Sequence, residues 1–373
     1  MTKETTDSFA SKTVDYARAL AILLVLLTHT GQQIRATDSY TPNHWVNLLK
    51  TISEAGAAGV PLFFVISGFL MAFLHRTNFS QKVFWRKRFA RIYPLWLLWT
   101  LVAVVSAYFP ITFLGPEPIY VYGHGVTLNS FQDWVLLFLQ LTFMGWLVPN
   151  IWNSFVVGGW SIQAEMGNYS LFALFRKINI KFILFAIALF SAGYLLVLQD
   201  LVPDEYVNIA NAAVTSPYWF FLGMFIAEIL QAVNNKKRIH LSTWVSLFAA
   251  TLMTLLLNGP FTPQSISMLV VVISIGASMF LAYQGSMGWL RTIGKYSYGM
   301  YFAHFLFILP LNRAHSILTA TTQSSQSDLW AVVVMVLGYV FVVCGSLLVA
   351  MITFRFIESP AIQWSRKSEF QTL

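Results

Sequence analysis

Apolar runs of about 17 to 25 residues recur along this chain, each long enough to cross the roughly 30 Å hydrocarbon layer as a helix. A soluble domain carries charge on about a quarter of its residues. Here the charged share is 10%, against 57% hydrophobic and 16% aromatic. The expected fold class is therefore all-α, a polytopic membrane helix bundle of one domain spanning 1–373. Candidate spans lie near 14–33, 57–75, 92–114, 155–175, 180–200, 215–233, 241–258, 265–284, 296–312 and 329–354. That gives about ten transmembrane helices, and an eleventh apolar stretch at 131–148 needs its own decision.

Charge settles the topology. The loop between the second and third spans holds His75, Arg76, Lys82, Arg86, Lys87, Arg88 and Arg91, which marks it cytoplasmic and places the N-terminus inside. If 131–148 crossed fully, Arg176, Lys177 and Lys181 would fall outside, with Lys236, Lys237 and Arg238. If it is re-entrant or interfacial, these residues fall inside and Asp200, Asp204 and Glu205 outside. The second reading is preferred, with both termini cytoplasmic as tails at 1–13 and 359–373. A re-entrant segment must then be buried in protein.

The same distribution excludes a function class. Lys and Arg outnumber Asp and Glu by 23 to 15, but they lie in short segments between apolar runs, so no nucleic-acid partner is expected. The one cysteine, Cys344, excludes an intramolecular disulfide and a cysteine-based metal cluster, and is expected to pack as a small hydrophobe. No metal is expected. Met1 to Val14 is polar and lacks an apolar core before a cleavage site, so no removable signal peptide is expected.

Ionisable groups inside spans cost on the order of 2.5 to 3.5 kcal/mol each at mid-bilayer, so each one is a functional candidate. Arg18 and His29 are eleven residues apart, within about 20° of whole helical turns and about 16 Å in rise. They face the same way at different depths. Arg18 could simply snorkel and pair with Asp15, and His29 could bond a neighbouring helix. A histidine is nonetheless the side chain best suited to accept a hydroxyl proton near neutral pH. Ser161, Glu165 and Asn168 share one face of the fourth span, and Ser297, Tyr301 and His304 repeat that spacing in the ninth. Either stripe is also what interhelical hydrogen bonding would produce. Glu165 needs a proton, a cationic partner or a wet cavity, whereas Glu228 reads as a boundary residue. Arg88 and Arg91, three apart, can present a paired fork to a phosphate-bearing ligand, and Pro94 should end or kink their helix. The run from Gly56 to Gly68 suggests close helix packing, with Ser67 a polar contact within it.

Taken in order, these segments resemble the acyltransferase-3 family of membrane O-acyltransferases, which acylate bacterial surface polysaccharides, peptidoglycan and some small molecules. The resemblance rests on Arg18 with His29, Phe63-Phe64-Val65-Ile66-Ser67-Gly68-Phe69, Arg88-Phe89-Ala90-Arg91 before Tyr93-Pro94, Trp160-Ser161-Ile162-Gln163-Ala164-Glu165, Ser297-Tyr298 leading to Tyr301 and His304, and Phe356-Ile357-Glu358-Ser359-Pro360.

The resemblance implies an enzyme of the bacterial cytoplasmic (inner) membrane. Its donor would be acetyl-CoA from the cytoplasm, and its acceptor an outer-face carbohydrate such as an O-antigen, a lipid-linked glycan or another surface polysaccharide. It implies catalytic roles for His29 and Glu165, donor binding by Arg18, Arg88 and Arg91, and acceptor binding by Trp160, Ser161, Tyr301 and His304. Glu165 would orient an imidazole or bind a sugar hydroxyl. An SGNH-type hydrolase domain, present in some family members, is not expected here. Many relatives have a second acidic residue after the Glu165 position, where this chain reads Met166-Gly167-Asn168-Tyr169. Membrane lipids are the other expected contact, and nothing in the sequence specifies an oligomeric state. A rival reading is a transporter of a glycan or acyl carrier, with the same residues lining a path.

Overall fold

A computed structural model describes residues 3–32, 44–74, 79–109, 128–148, 155–174, 180–198, 202–203, 206–234, 263–285, 287–321 and 328–367. Among them every regular element is helical. In chain order these are α1 (Lys3–Gly31), α2 (His44–Ala55), α3 (Gly59–Leu74), α4 (Gln81–Tyr108), α5 (Phe131–Leu141), α6 (Trp160–Leu174), α7 (Ile180–Leu198), α8 (Val207–Ala210), α9 (Ser216–Asn234), α10 (Pro263–Gln284), α11 (Gly288–Ala303), α12 (Phe305–Thr321), α13 (Asp328–Thr353) and α14 (Ser359–Lys367). A short 3₁₀ turn joins α2 to α3, and π-helical turns at Asn211–Thr215 and Phe354–Glu358 lead into α9 and α14.

Among the described residues, five stretches are long and apolar enough to cross a membrane: Trp45–Leu74, Gln81–Tyr108, Asn211–Ala232, Ile266–Gln284 and Val332–Lys367. They coincide with the expected second, third, sixth, eighth and tenth spans. The expected seventh, 241–258, lies outside the described residues. The chain is a membrane protein.

Several boundaries differ from expectation for physical reasons. The third span starts at Gln81, so the basic run lies within α4. Pro94 neither ends nor caps that helix, which continues to Tyr108. Proline removes one donor and crowds the turn before it, but Leu95, Trp96 and Trp99 beyond it are buried. Packing of that kind is what lets membrane helices retain proline. The fourth span begins at Trp160, after a turn. The ninth is interrupted at His304, between α11 and α12. The last continues helically past 359 to Lys367, where a tail was expected. Cys344 lies on an exposed face of α13 and is not packed as a core hydrophobe.

The doubtful stretch at 131–148 is a half-length helix. The eleven residues of α5 rise about 16 Å, roughly half the hydrocarbon thickness. The Ser130 hydroxyl accepts from the Asp133 amide while Asp133 accepts from the Ser130 amide, a reciprocal cap that fixes where it starts. Its far end is held by polar contacts: the Trp96 indole donates to the Gln140 carbonyl (3.0 Å), and Gln163 of α6 donates to the Gln140 side chain (3.2 Å). Gln163 also accepts from the Trp146 amide, which ties the start of α6 to this segment.

Close helix crossings position the rest. A Cβ at Gly68 of α3 would come within 1.8 Å of the Phe220 carbonyl oxygen, and one at Gly223 of α9 within 2.0 Å of that of Val65. The glycines face each other's helix backbone, so the expected small-residue packing is met by this reciprocal pair. Gly294 of α11 similarly lies against the Asp15 carbonyl of α1, where a Cβ would come to 1.9 Å.

Candidate active site

Arg18, Arg88 and Arg91 meet in one cavity. Its volume is about 710 Å³, and Lys87, Arg366 and Asp15 complete its polar lining. Arg18 comes from α1, Arg88 and Arg91 from one face of α4, and Arg366 from α14. The expected Arg18–Asp15 pair does not form, because Asp15 is bound by Arg291 of α11 at 3.4 Å. The Arg88 guanidinium lies over the rings of Tyr169 (5.2 Å) and Phe84 (5.8 Å), a cation–π seat that holds it at the cavity wall.

Arg18 and Arg91 also line a second cavity of about 290 Å³ with Lys295, Gln363 and Glu358. Glu358 is buried, and its Oε1 has no hydrogen-bond partner among the described residues. It is the last residue of the π-turn that leads into α14, a distortion often found at functional sites. Sequence reasoning quoted Glu358 within a motif but gave it no role. Glu358 falls beyond the expected last span at 329–354, so the rule that flagged in-span ionisable residues passed over it.

Two smaller spaces lie further in and share wall residues with these cavities. Arg18 and Arg91 face Glu165, Ser67, Tyr169, Ser297 and Tyr298 across a space of about 40 Å³. Glu165 accepts from the Ser67 hydroxyl (2.6 Å) and the Tyr169 hydroxyl (2.5 Å). Of the alternatives expected for a lone carboxylate, cationic neighbours are present in Arg18 and Arg91. Its hydrogen-bond partners are the two hydroxyls, where the sequence leaves orienting an imidazole and binding a sugar hydroxyl both open. Ser161, Glu165 and Asn168 share a helix but serve different neighbours, since Asn168 donates to Ser216.

Glu165 and Tyr298 also line a further space of about 40 Å³ that reaches Ser161 and Tyr301. There the Ser161 and Tyr301 hydroxyls lie 2.7 Å apart, and Tyr301 also donates to the Gly158 carbonyl (3.0 Å). Beyond Tyr301 is His304, whose Nδ1 lies 2.6 Å from the Tyr301 carbonyl. The His29 ring is 5.3 Å from that of His304, and Phe305 packs against both. The structure thus gathers Arg18, Arg88 and Arg91 at one end, Glu165, Ser161 and Tyr301 in the middle, and the two histidines beyond. Trp160 packs its ring against Phe64. Tyr169 and Tyr298, both lining these inner spaces, were not singled out from the sequence, because aromatic residues in an apolar helix carry no signal of their own.

A family model described as an acyltransferase domain matches residues 12–355. Among curated proteins, the chain is similar to the acyltransferase MdmB of Streptomyces mycarofaciens, at 29% identity over 78% of this chain and 77% of the relative. It is also similar to the O-acetyltransferase OatA of Staphylococcus aureus (26% identity; 93% of this chain, 56% of the relative). The peptidoglycan O-acetyltransferase OatA of Listeria monocytogenes matches at 22% identity over 93% of this chain and 55% of its own length. The chain therefore spans a little over half the length of the two OatA proteins. No solved structure matches.

Proposed function

Because the chain belongs to the acyltransferase family whose domain it matches over residues 12–355, we propose that it moves an acetyl group from cytoplasmic acetyl-CoA to a hydroxyl of a surface or lipid-linked carbohydrate. That it is a membrane enzyme transferring acyl groups follows from the family; the donor, the acceptor class and the residue roles are the proposal. The observation that carries it is the series of neighbouring spaces with shared wall residues, from the arginine cavity to Tyr301, with His29 and His304 beside Tyr301.

The donor's phosphates bind Arg88, Arg91 and Arg18, and the pantetheine arm extends inward past Glu165. Arg18 and His29 stand on one continuous helix about 16 Å apart in rise, a span such an arm can cover. His29 takes the proton of the acceptor hydroxyl, whose oxygen attacks the thioester carbonyl carbon. The carbon–sulfur bond breaks, and the thiolate leaves. Ser161 and Tyr301 serve the acceptor side. Glu165, held by two hydroxyls and facing two arginines, keeps this route polar and balances their charge. The name of the Listeria relative, a peptidoglycan O-acetyltransferase, supports a carbohydrate acceptor.

The protein in liposomes, given labelled acetyl-CoA on the N-terminal side and a sugar acceptor on the other, tests the proposal. Label recovered as an O-acetyl ester on the sugar supports it. Transport of unmodified sugar, or label only on water as acetate, contradicts it.

A further inference from the structure

The sequence offers two in-span histidines, and the proposed chemistry above uses only one. The second, His304, is 0% exposed. Its Nδ1 lies 2.6 Å from the Tyr301 carbonyl. A carbonyl can only accept, so in the neutral ring Nδ1 carries the proton and Nε2 carries the lone pair. That Nε2 is buried and has no hydrogen-bond partner among the described residues. Buried polar atoms are nearly always paired, so an acceptor left open in a membrane interior asks what fills it.

His29 is set the same way round. Its Nδ1 lies 3.2 Å from the side-chain oxygen of Gln32, again an acceptor only, so its Nε2 is also the basic nitrogen. The rings are 5.3 Å apart and tilted by 33°. His304 packs against both His29 and Tyr301, whose ring is 5.7 Å from its own. Tyr301 in turn lines the inner space that Glu165 also lines. His304 is therefore in contact with a residue that lines the inner space.

We propose that His304 is a second proton station, taking from His29 the proton removed from the acceptor hydroxyl and handing it to the departing thiolate. This rests on the reading of His29 as the base. The oxygen–carbon bond of the ester forms and the carbon–sulfur bond breaks. The electron pair of that bond stays on sulfur, and the proton travels from the hydroxyl to His29 Nε2, then to His304 Nε2, then to sulfur. The products are the O-acyl ester and the neutral thiol, and both imidazoles return to their starting form. The physical need is charge. Without the transfer, an imidazolium and a thiolate would both remain inside the membrane, where uncompensated charge is expensive. The Nδ1 bond to the Tyr301 carbonyl keeps Nε2 available, as a third group orients a catalytic imidazole elsewhere.

His304→Asn and His304→Gln, measured as turnover per folded molecule with acetyl-CoA and a sugar acceptor, test this. Asn can keep the bond to the Tyr301 carbonyl while removing Nε2; Gln can keep an acceptor near Nε2 but cannot carry a proton. The proposal expects both variants to lose about a hundredfold or more in kcat while the KM for acetyl-CoA changes less than about threefold. Near-normal turnover in either variant overturns it: in Asn because Nε2 is then dispensable, in Gln because an acceptor atom is then enough. The parallel His29→Gln variant separates this failure from that of the base assignment. Loss in His29→Gln with normal His304 variants overturns the second station alone, whereas normal turnover in His29→Gln removes the base itself.

Discussion

Arg91 and Arg88 look alike in the sequence, but the structure separates them, and substitution should too. Arg91 lines the large cavity, the adjoining one that holds Glu358, and the inner space with Glu165, whereas Arg88 lines the large cavity and is seated over Phe84 and Tyr169. A hydrogen bond to a charged group contributes about 1.5 to 3 kcal/mol. With tenfold in affinity for each 1.4 kcal/mol, Arg91→Ala should weaken acetyl-CoA binding by about 10- to 150-fold. Arg91→Lys keeps the charge but not the planar fork and should recover only part of this. Arg88→Ala should cost less in binding, with a further loss of stability from the vacated cation–π seat of about 0.5 to 2 kcal/mol. Calorimetric titration of acetyl-CoA into detergent-solubilised protein, alongside thermal unfolding, measures both. Wild-type affinity in Arg91→Ala, in a protein that inserts normally, would refute the assignment of these arginines to the donor.

Gly68→Ala and Gly223→Ala should each destabilise by about 1 to 3 kcal/mol, because the added methyl meets backbone on the facing helix; a thermal-unfolding midpoint unchanged in both would contradict the crossing described. Ser67 and Tyr169 share one oxygen of Glu165, so Glu165→Gln can keep both bonds while removing the negative charge that faces Arg18 and Arg91, and it should alter donor affinity while sparing acceptor KM; a change confined to acceptor KM would place Glu165 with the sugar. In a Cys344→Ala background, cysteine at Lys236 should resist a membrane-impermeant thiol reagent in intact cells and cysteine at Glu205 should react. Labelling at 236 from outside would mean that the 131–148 stretch crosses fully.

The sequence made the helical class and five of the span positions legible, because apolar length is a one-dimensional signal. It also singled out Arg18, Arg88, Arg91 and Glu165, which the fold places around neighbouring cavities, since charge inside an apolar run stands out. What it could not supply was pairing across the bundle. Asp15 was matched to its near neighbour Arg18, whereas the fold brings Arg291 to it from the far end of the chain. Glu165 was linked to an imidazole or a sugar hydroxyl, whereas Ser67 and Tyr169 hold it. Tyr169 lies one helical turn from Glu165, so that contact follows from i, i+4 spacing and was open to sequence reasoning. Ser67 and Arg291 are remote in sequence, and only packing brings them near. Pro94 shows the opposite case, a strong local signal that burial of the following turns overrides.

Replacing His29 by Gln tests the account most directly, because it keeps a polar side chain of similar size while removing the atom assigned to the hydroxyl proton. Acetyl transfer per folded molecule, with acetyl-CoA binding measured in parallel, should fall about a hundred- to ten-thousand-fold while donor affinity and insertion stay near wild type. A well-folded His29→Gln variant with near-normal turnover would contradict the account.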